Sequence, residues 1–202
     1  MAVGLKEEAL EFKKNRILEV ASELFFRKGF TRTTLEEIAT ALSVTKPFIY
    51  QYYATKADLL ADVCLRTTAL AAERARLARE NRGTPTERLR RFVNSLAHEV
   101  IKGRIYLAVY FREEQHLPEA ARLKLQEDHR RFNRALMDLL EEGRASGEFT
   151  ISDPLVAMQA ITGMTTWAFF WFRPDGRLTA EAVADEMALL AMRAVGARSK
   201  RR

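Results

Sequence analysis

Two short runs of helical periodicity, TLEEIATAL from Thr34 to Leu42 and KPFIYQY from Lys46 to Tyr52, are separated only by Ser43, Val44 and Thr45. Each run opens on a start signal. Glu36 and Glu37 stand three residues after Thr33 and Thr34, the spacing of a capping box. Thr45 can cap the second run, and Pro47 falls in its first turn, where a missing N–H is harmless. Helices this short are not stable alone and must be held by packing. A three-residue link makes them cross closely, which suits the small Ala39 in the first helix and Val44 buried in the turn.

The remaining chain follows the same period. Leu10, Ile17, Ala21, Leu24 and Phe25 share one face of a first helix, ended by Gly29. Lys56 opens a helix that can run to about Asn81. Thr84, Pro85 and Glu87 then supply cap, first-turn proline and capping-box acid for a helix reaching about Ile101. Gly103 interrupts, Arg104 to His116 resumes, and Pro118 opens a long amphipathic helix to about Ala145. Ser152, Asp153 and Pro154 start another through Phe172, and Thr179 starts the last. The β-branched residues come singly, with no alternating run between hairpin turns, so the class is all-α. With 202 residues, 48% of them hydrophobic, such a chain can fill a core without staples.

Two short helices joined by a tight turn form a helix-turn-helix, in which the first helix braces against the DNA backbone and the second enters the major groove. In that arrangement Ile49 and Tyr53 point back toward Leu35, Ile38 and Leu42, while Thr45, Lys46, Phe48 and Gln51 face outward. Phe48 can touch a thymine methyl and Gln51 a base edge. Tyr50 and Tyr52 carry hydroxyls long enough to reach phosphates. Lys56 adds charge near a helix N-terminus, where backbone N–H groups already favour an anion. The alternative is that all four rings simply pack, a role that suits Tyr53 best.

The segment TLEEIATALSVTKPFIYQYYATKADLLADV resembles the DNA-binding part of the tetracycline-repressor (TetR) family of bacterial regulators, and ILEVASELFFRKGFTRTT precedes it in the order that family shows. Ser43 stands where the family usually has glycine, and a left-handed residue there costs about 1 kcal/mol. The resemblance implies a three-helix DNA-binding domain over residues 1–53 and a larger helical effector-binding and dimerisation domain over 54–197, followed by a basic tail, 198–202. By position it implies DNA contacts at Thr33, Thr34, Thr45, Lys46, Pro47, Phe48, Tyr50, Gln51, Tyr52 and Lys56. The implied partner is a double-stranded operator. One helix-turn-helix engages too few phosphates, so a homodimer on adjacent half-sites is expected. The apolar run Leu155 to Phe172 and a stripe of Val183, Met187, Leu190 and Ala194 can supply its interface.

The family resemblance also implies a ligand cavity. YFREEQHLPEAARLKLQE, LLEEGRASGEF and TWAFFWFRPDGRLTAE are similar to regulators of fatty-acid and steroid catabolism that respond to acyl-CoA or related lipids. Trp167, Phe170 and Trp171 would line it beside Tyr106, Tyr110, Phe111, Met137 and Met164. Arg104, Arg112, Arg173 and Arg177 are candidate anchors for CoA phosphates. Aromatic and Met residues at helical spacing also build ordinary core, so both uses stay open.

Other classes find less support. The formal net charge of +6 does not by itself argue for nucleic acid, because Arg198, Lys200, Arg201 and Arg202 crowd the end while the basic residues from Lys6 to Lys56 are nearly balanced by acidic ones. A single cysteine, Cys64, excludes an intramolecular disulfide and suits a reducing compartment. MAVGLKEEALEFKK lacks the uninterrupted apolar segment of a signal peptide, and Gln159, Thr162, Thr165 and Thr166 break up the one run of near-membrane length. A cytoplasmic protein without a membrane partner is expected. No serine or cysteine lies in a nucleophile motif and no glycine-rich phosphate loop follows a strand. Glu113 and His116, with Glu114 and His129 not far off, offer half of the paired Glu-x-x-His set of a metal-binding bundle. His98 reads as an ordinary helix residue. The expectation is a regulator with no cofactor; a metal-dependent helical enzyme and a DNA-binding protein without effector are the alternatives.

Overall fold

The computed structural model describes residues 4–80 and 82–197. Among these it contains ten α-helices and no strand: α1 (Leu5–Lys28), α2 (Leu35–Ala41), α3 (Lys46–Tyr50), α4 (Lys56–Glu80), α5 (Pro85–Lys102), α6 (Arg104–Glu113), α7 (Glu119–Ala145), α8 (Pro154–Thr166), α9 (Ala168–Trp171) and α10 (Ala180–Ala194). A 3₁₀ turn, Glu114–His116, follows α6. The all-α expectation holds. Asn81 and the basic tail lie outside the described residues.

Contacts divide the chain into two compact units, Met1–Arg66 with Ile105–Lys124, and Thr67–Arg104 with Leu125–Arg202. In the first unit, Ile17, Ala21 and Phe25 of α1 are buried with Ile38 and Ala39 of α2, Ile49 of α3, Tyr53, and Leu59, Leu60 and Val63 of α4. Each large side chain buried there is worth about 1.5–3 kcal/mol relative to exposure. Leu10 departs from expectation. It is 44% exposed, and the apolar stripe of α1 begins only at Ile17. Periodicity marks a face that can be buried, and the described residues put no opposing surface over the first turns.

The second unit centres on α5, whose Leu89, Phe92, Val93 and Leu96 are buried and which packs on α10 and α8. Ala184, Ala188 and Ala191 let α10 approach closely. The Thr84 capping box forms as read, with Glu87 N–H donating to the Thr84 hydroxyl at 3.3 Å. A distant acid completes that helix start: Glu148 accepts from the Thr86 N–H (3.0 Å) and hydroxyl (2.6 Å), where the helix dipole favours negative charge. Gly143 has no room for a side chain, since a Cβ there would lie 2.1 Å from the Phe149 ring.

Several expected elements are cut differently. The helix expected from Pro154 to Phe172 breaks at Trp167 into α8 and α9. The Thr165 hydroxyl donates to the Ile161 carbonyl at 2.7 Å, a back-bond that bends helices. After it the backbone tightens, with the Phe170 N–H bonded to the Trp167 carbonyl at 3.0 Å. On α10, Val183 and Met187 are buried but Leu190 and Ala194 are exposed, so the expected stripe divides between a core side and a surface side. The third helix ends at Tyr50 rather than Tyr52, because the Gln51 and Tyr52 N–H groups turn to the Phe48 and Ile49 carbonyls three residues back. Arg104 to His116 likewise divides, into α6 and the 3₁₀ turn.

Candidate nucleic-acid interface

The interface is built on the α2–turn–α3 unit. Thr34 caps α2 through its hydroxyl, which accepts from the Glu37 N–H at 3.1 Å, while the Glu37 carboxylate takes the Thr34 N–H at 2.9 Å. Glu37 also pairs with Lys28 at 2.7 Å, and that ammonium, with the Thr34 N–H, holds its carboxyl below the usual range. Ser43 is left-handed (φ 57°), as glycine would be, and lets the Val44 N–H turn back to the Ala39 carbonyl at 3.0 Å. Val44 is only half-buried. The turn therefore has the geometry that the resemblance implies, with a residue that carries a Cβ penalty.

On α3, Ile49 is fully buried and Tyr53 beyond it is buried too, its phenol raised above the ordinary range by burial and then by the charge of Asp62. Thr45, Lys46, Pro47, Tyr50 and Gln51 are exposed, Tyr50 at 49%. Phe48 is not free in solvent as expected: it is half-buried and its ring lies 5.2 Å from that of Tyr52, which is half-buried as well. A cleft of about 490 Å³ opens beside this helix, bounded by Thr34 and Glu36 from α2, Lys46 and Tyr50 from α3, and Ala54 and Thr55 leading into α4. Lys46 leans on Glu36 at 3.7 Å.

Two residues expected at the contact line the cleft but turn their side-chain polar groups inward. Thr33 is fully buried, and its hydroxyl donates to the Gly29 carbonyl at 2.9 Å, so its side chain is part of the core. Lys56 lines the cleft but turns its ammonium inward, donating to the carbonyls of Phe30 and Thr33 at 2.7 Å each. The nitrogen also sits 4.3 Å from the centre of the Phe30 ring. Partial burial lowers the pKa of this lysine, against the pull of Glu113 and Glu37. Glu36, Ala54 and Thr55 belong to the cleft and were not singled out from sequence. A signal for Thr55 exists: Asp58 stands three residues on and accepts from its N–H (2.9 Å) and hydroxyl (2.8 Å), a capping box for α4.

The residues expected to line a cavity are divided between the two units. Tyr106, Tyr110 and Phe111 belong to the first unit; Met137, Met164, Trp167, Phe170 and Trp171 belong to the second. Tyr106 lies under the Arg66 guanidinium at 5.5 Å. Tyr110 is half-buried, its phenol pushed up to about 12 by burial and the nearby Glu114, and its ring pairs with exposed Phe111 at 5.2 Å. Met137 and Met164 are half-buried. Trp167 (54%) and Phe170 (60%) are exposed, stacked on each other at 5.0 Å, and Trp171 is exposed beside them. All three lie at or just after the break between α8 and α9. The Arg112 guanidinium donates to the Phe25 and Phe26 carbonyls and to Glu113. Arg173 donates to the Phe170 carbonyl at 3.2 Å, and Arg177 is exposed.

Glu113 and His116 approach to 3.8 Å, but Glu113 is buried and bonded to Arg112, and no group of three metal-ligating side chains gathers among the described residues. Among those residues no helix is long and apolar enough to cross a membrane.

Residues 17–63 match the family described as bacterial regulatory proteins, tetR family, and residues 82–195 match the tetracyclin repressor-like C-terminal domain. The chain is 24% identical over 176 residues to the HTH-type transcriptional repressor KstR2 of Mycobacterium tuberculosis, spanning 86% of this chain and 88% of that one. Its fold is similar to the TetR-family regulator PfmR of Thermus thermophilus, with a TM-score of 0.80 and 30% identity over 88% of this chain and 97% of the other. It is also similar to AibR in complex with isovaleryl coenzyme A and operator DNA, with a TM-score of 0.75 and 28% identity over 88% of this chain and 96% of that one. The relatives are transcriptional regulators, not enzymes. With a capped helix-turn-helix at its amino end and a C-terminal match covering over half its length, the chain belongs to the TetR family of DNA-binding transcriptional regulators.

Proposed function

We propose that this protein is a cytoplasmic repressor that occupies an operator as a homodimer and releases it when a lipid-like or acyl-CoA effector binds its larger part. The observation that carries the DNA half is the exposed face of α3, where Lys46, Tyr50 and Gln51 project from a helix whose Ile49 is locked in the core. Gln51 is suited to a base edge, Phe48 and Pro47 to apolar contact with a thymine methyl, and Thr34, Thr45, Tyr50 and Tyr52 to phosphate oxygens. Lys46 exchanges Glu36 for the DNA. Residues 1–53 form the DNA-binding part and 54–197 the effector and dimer part.

Dimerisation is assigned to α8 and α10. Leu155 and Val156 of α8 and Leu189 and Leu190 of α10 are large, apolar and exposed, a composition that suits a partner surface better than water. The effector class rests on the similarity to AibR, whose structure holds isovaleryl coenzyme A. Such a ligand weakens operator binding only by preferring the conformer whose two recognition helices no longer match successive major-groove faces.

The test is selection of a duplex from a randomised library, followed by fluorescence anisotropy with and without isovaleryl-CoA and longer acyl-CoAs. A selected palindromic site released by an acyl-CoA is the expected result. Selection of no duplex overturns the operator reading; a duplex whose occupancy no acyl-CoA changes overturns the effector reading alone.

A further inference from the structure

We infer that Lys56 is a positioning residue for DNA recognition, one that fastens the entry of α2 to the exit of α3, and not a phosphate ligand. The inference rests on the operator-binding reading and assigns a role within that same surface.

A lysine ammonium has three protons to donate. Here they meet the Phe30 and Thr33 carbonyls at 2.7 Å and the Thr31 carbonyl at 3.4 Å. Its remaining face lies over the Phe30 ring at 4.3 Å, a cation–π contact. To reach a phosphate the side chain would abandon all of these and leave backbone carbonyls short of donors.

The geometry gives this contact a specific task. Thr33 and Lys56 are 23 residues apart, and the whole α2–turn–α3 unit lies between them. One ammonium therefore closes the helix-turn-helix into a ring. It ties the rim of the cleft formed by Thr34 and Glu36 to the rim formed by Ala54 and Thr55. The same loop is held a second time through Phe30, whose ring stacks on His116 at 4.9 Å. With both rims fixed, α3 meets the groove at one angle, and base contacts, which tolerate less displacement than phosphate contacts, are made together.

The experiment measures anisotropy of a selected duplex and of a random-sequence duplex across a salt series, for wild type, Lys56→Met and Lys46→Met, well below each protein's melting temperature. Lys56→Met is expected to weaken the selected duplex by about tenfold, the size of one lost base contact, with the random duplex little changed. Its slope of log K against log salt stays at the wild-type value, whereas Lys46→Met lowers the slope by about 0.9. A slope that falls by about 0.9 in Lys56→Met, with equal loss on both duplexes, overturns the inference in favour of a phosphate contact. Unchanged selectivity overturns it too. If Lys56→Met does not fold, Phe30→Leu, which keeps the charge and removes the ring under it, is expected to show the same selective loss, and unaltered selectivity there counts against the proposal. Failure of the wild type to select any duplex instead removes the operator reading beneath it.

Discussion

The two units differ in what they leave uncommitted at the surface. In the first, several polar groups flanking the recognition helix already have partners: Thr34 with Glu37, Thr55 with Asp58, Lys46 with Glu36, Lys56 with three carbonyls. In the second, the α8–α9 surface carries large apolar side chains in solvent, including Val156 at 65% and the stacked pair Trp167 and Phe170; the first unit has such residues too, at Phe12 and Phe111, but on α1 and α6 rather than on the recognition helix. A surface that reads a polyanion gains from groups fixed before binding, because each loose side chain must be ordered at an entropic cost. A surface that binds another apolar surface gains from area removed from water, which needs little preset geometry. The first unit, the head, thus sets polar groups in place around its recognition helix, and the second, the body, leaves apolar area open to burial.

The largest expected effect tests the body. Val156→Glu puts a charge into the exposed α8 face; sedimentation should show monomer, and affinity for a two-half-site duplex should fall by about 10²-fold or more as the tethered second contact is lost. A dimer that survives this change moves the interface off α8. Next comes the head: Glu36→Gln removes the carboxylate beside Lys46 and should raise affinity for random duplexes by about two- to fivefold, within the range of an exposed ion pair. No change there means that Lys46 is not held back by Glu36. Ser43→Gly relieves the left-handed Cβ and should stabilise the protein by about 1 kcal/mol in chemical denaturation, without altering the salt slope.

The smallest effect concerns Cys64, buried in the first unit, whose thiol burial pushes up to about 12. Thiol reagents at mildly alkaline pH should label it only after unfolding; rapid labelling of the native protein would show that this core opens. The sign of the linkage follows. The unfolded thiol ionises near 9.0 and the folded one near 12, so the folded state holds the proton longer and loses stability as pH rises between them.

Much of this was legible because it is local. The Thr34 and Thr84 boxes and the Asp153 cap depend on residues within three or four positions of one another, whereas the left-handed turn at Ser43 was implied by the family resemblance. Ile49 and Tyr53 were placed in the core by period alone. The placements that local pattern did not reveal share the opposite property. Thr33 was assigned to DNA by position along a motif, yet its hydroxyl found the Gly29 carbonyl in a loop whose path no periodicity encodes. The aromatic set around Trp167 was read as lining from the family resemblance, and the chain around the break after Thr165 leaves three of them exposed.

The amino-acid sequence by itself determined that the chain is helical, where most helices start and that two short ones pair across a tight turn, since capping and helical period act over one or two turns of chain. Tertiary structure alone decided where charges and rings are spent: whether Lys56 faces a phosphate or the Phe30 and Thr33 carbonyls, 26 and 23 residues away, and whether Leu10 is covered. Those outcomes depend on which distant groups arrive nearby, and desolvation and hydrogen bonding reward proximity in space without regard to separation along the chain.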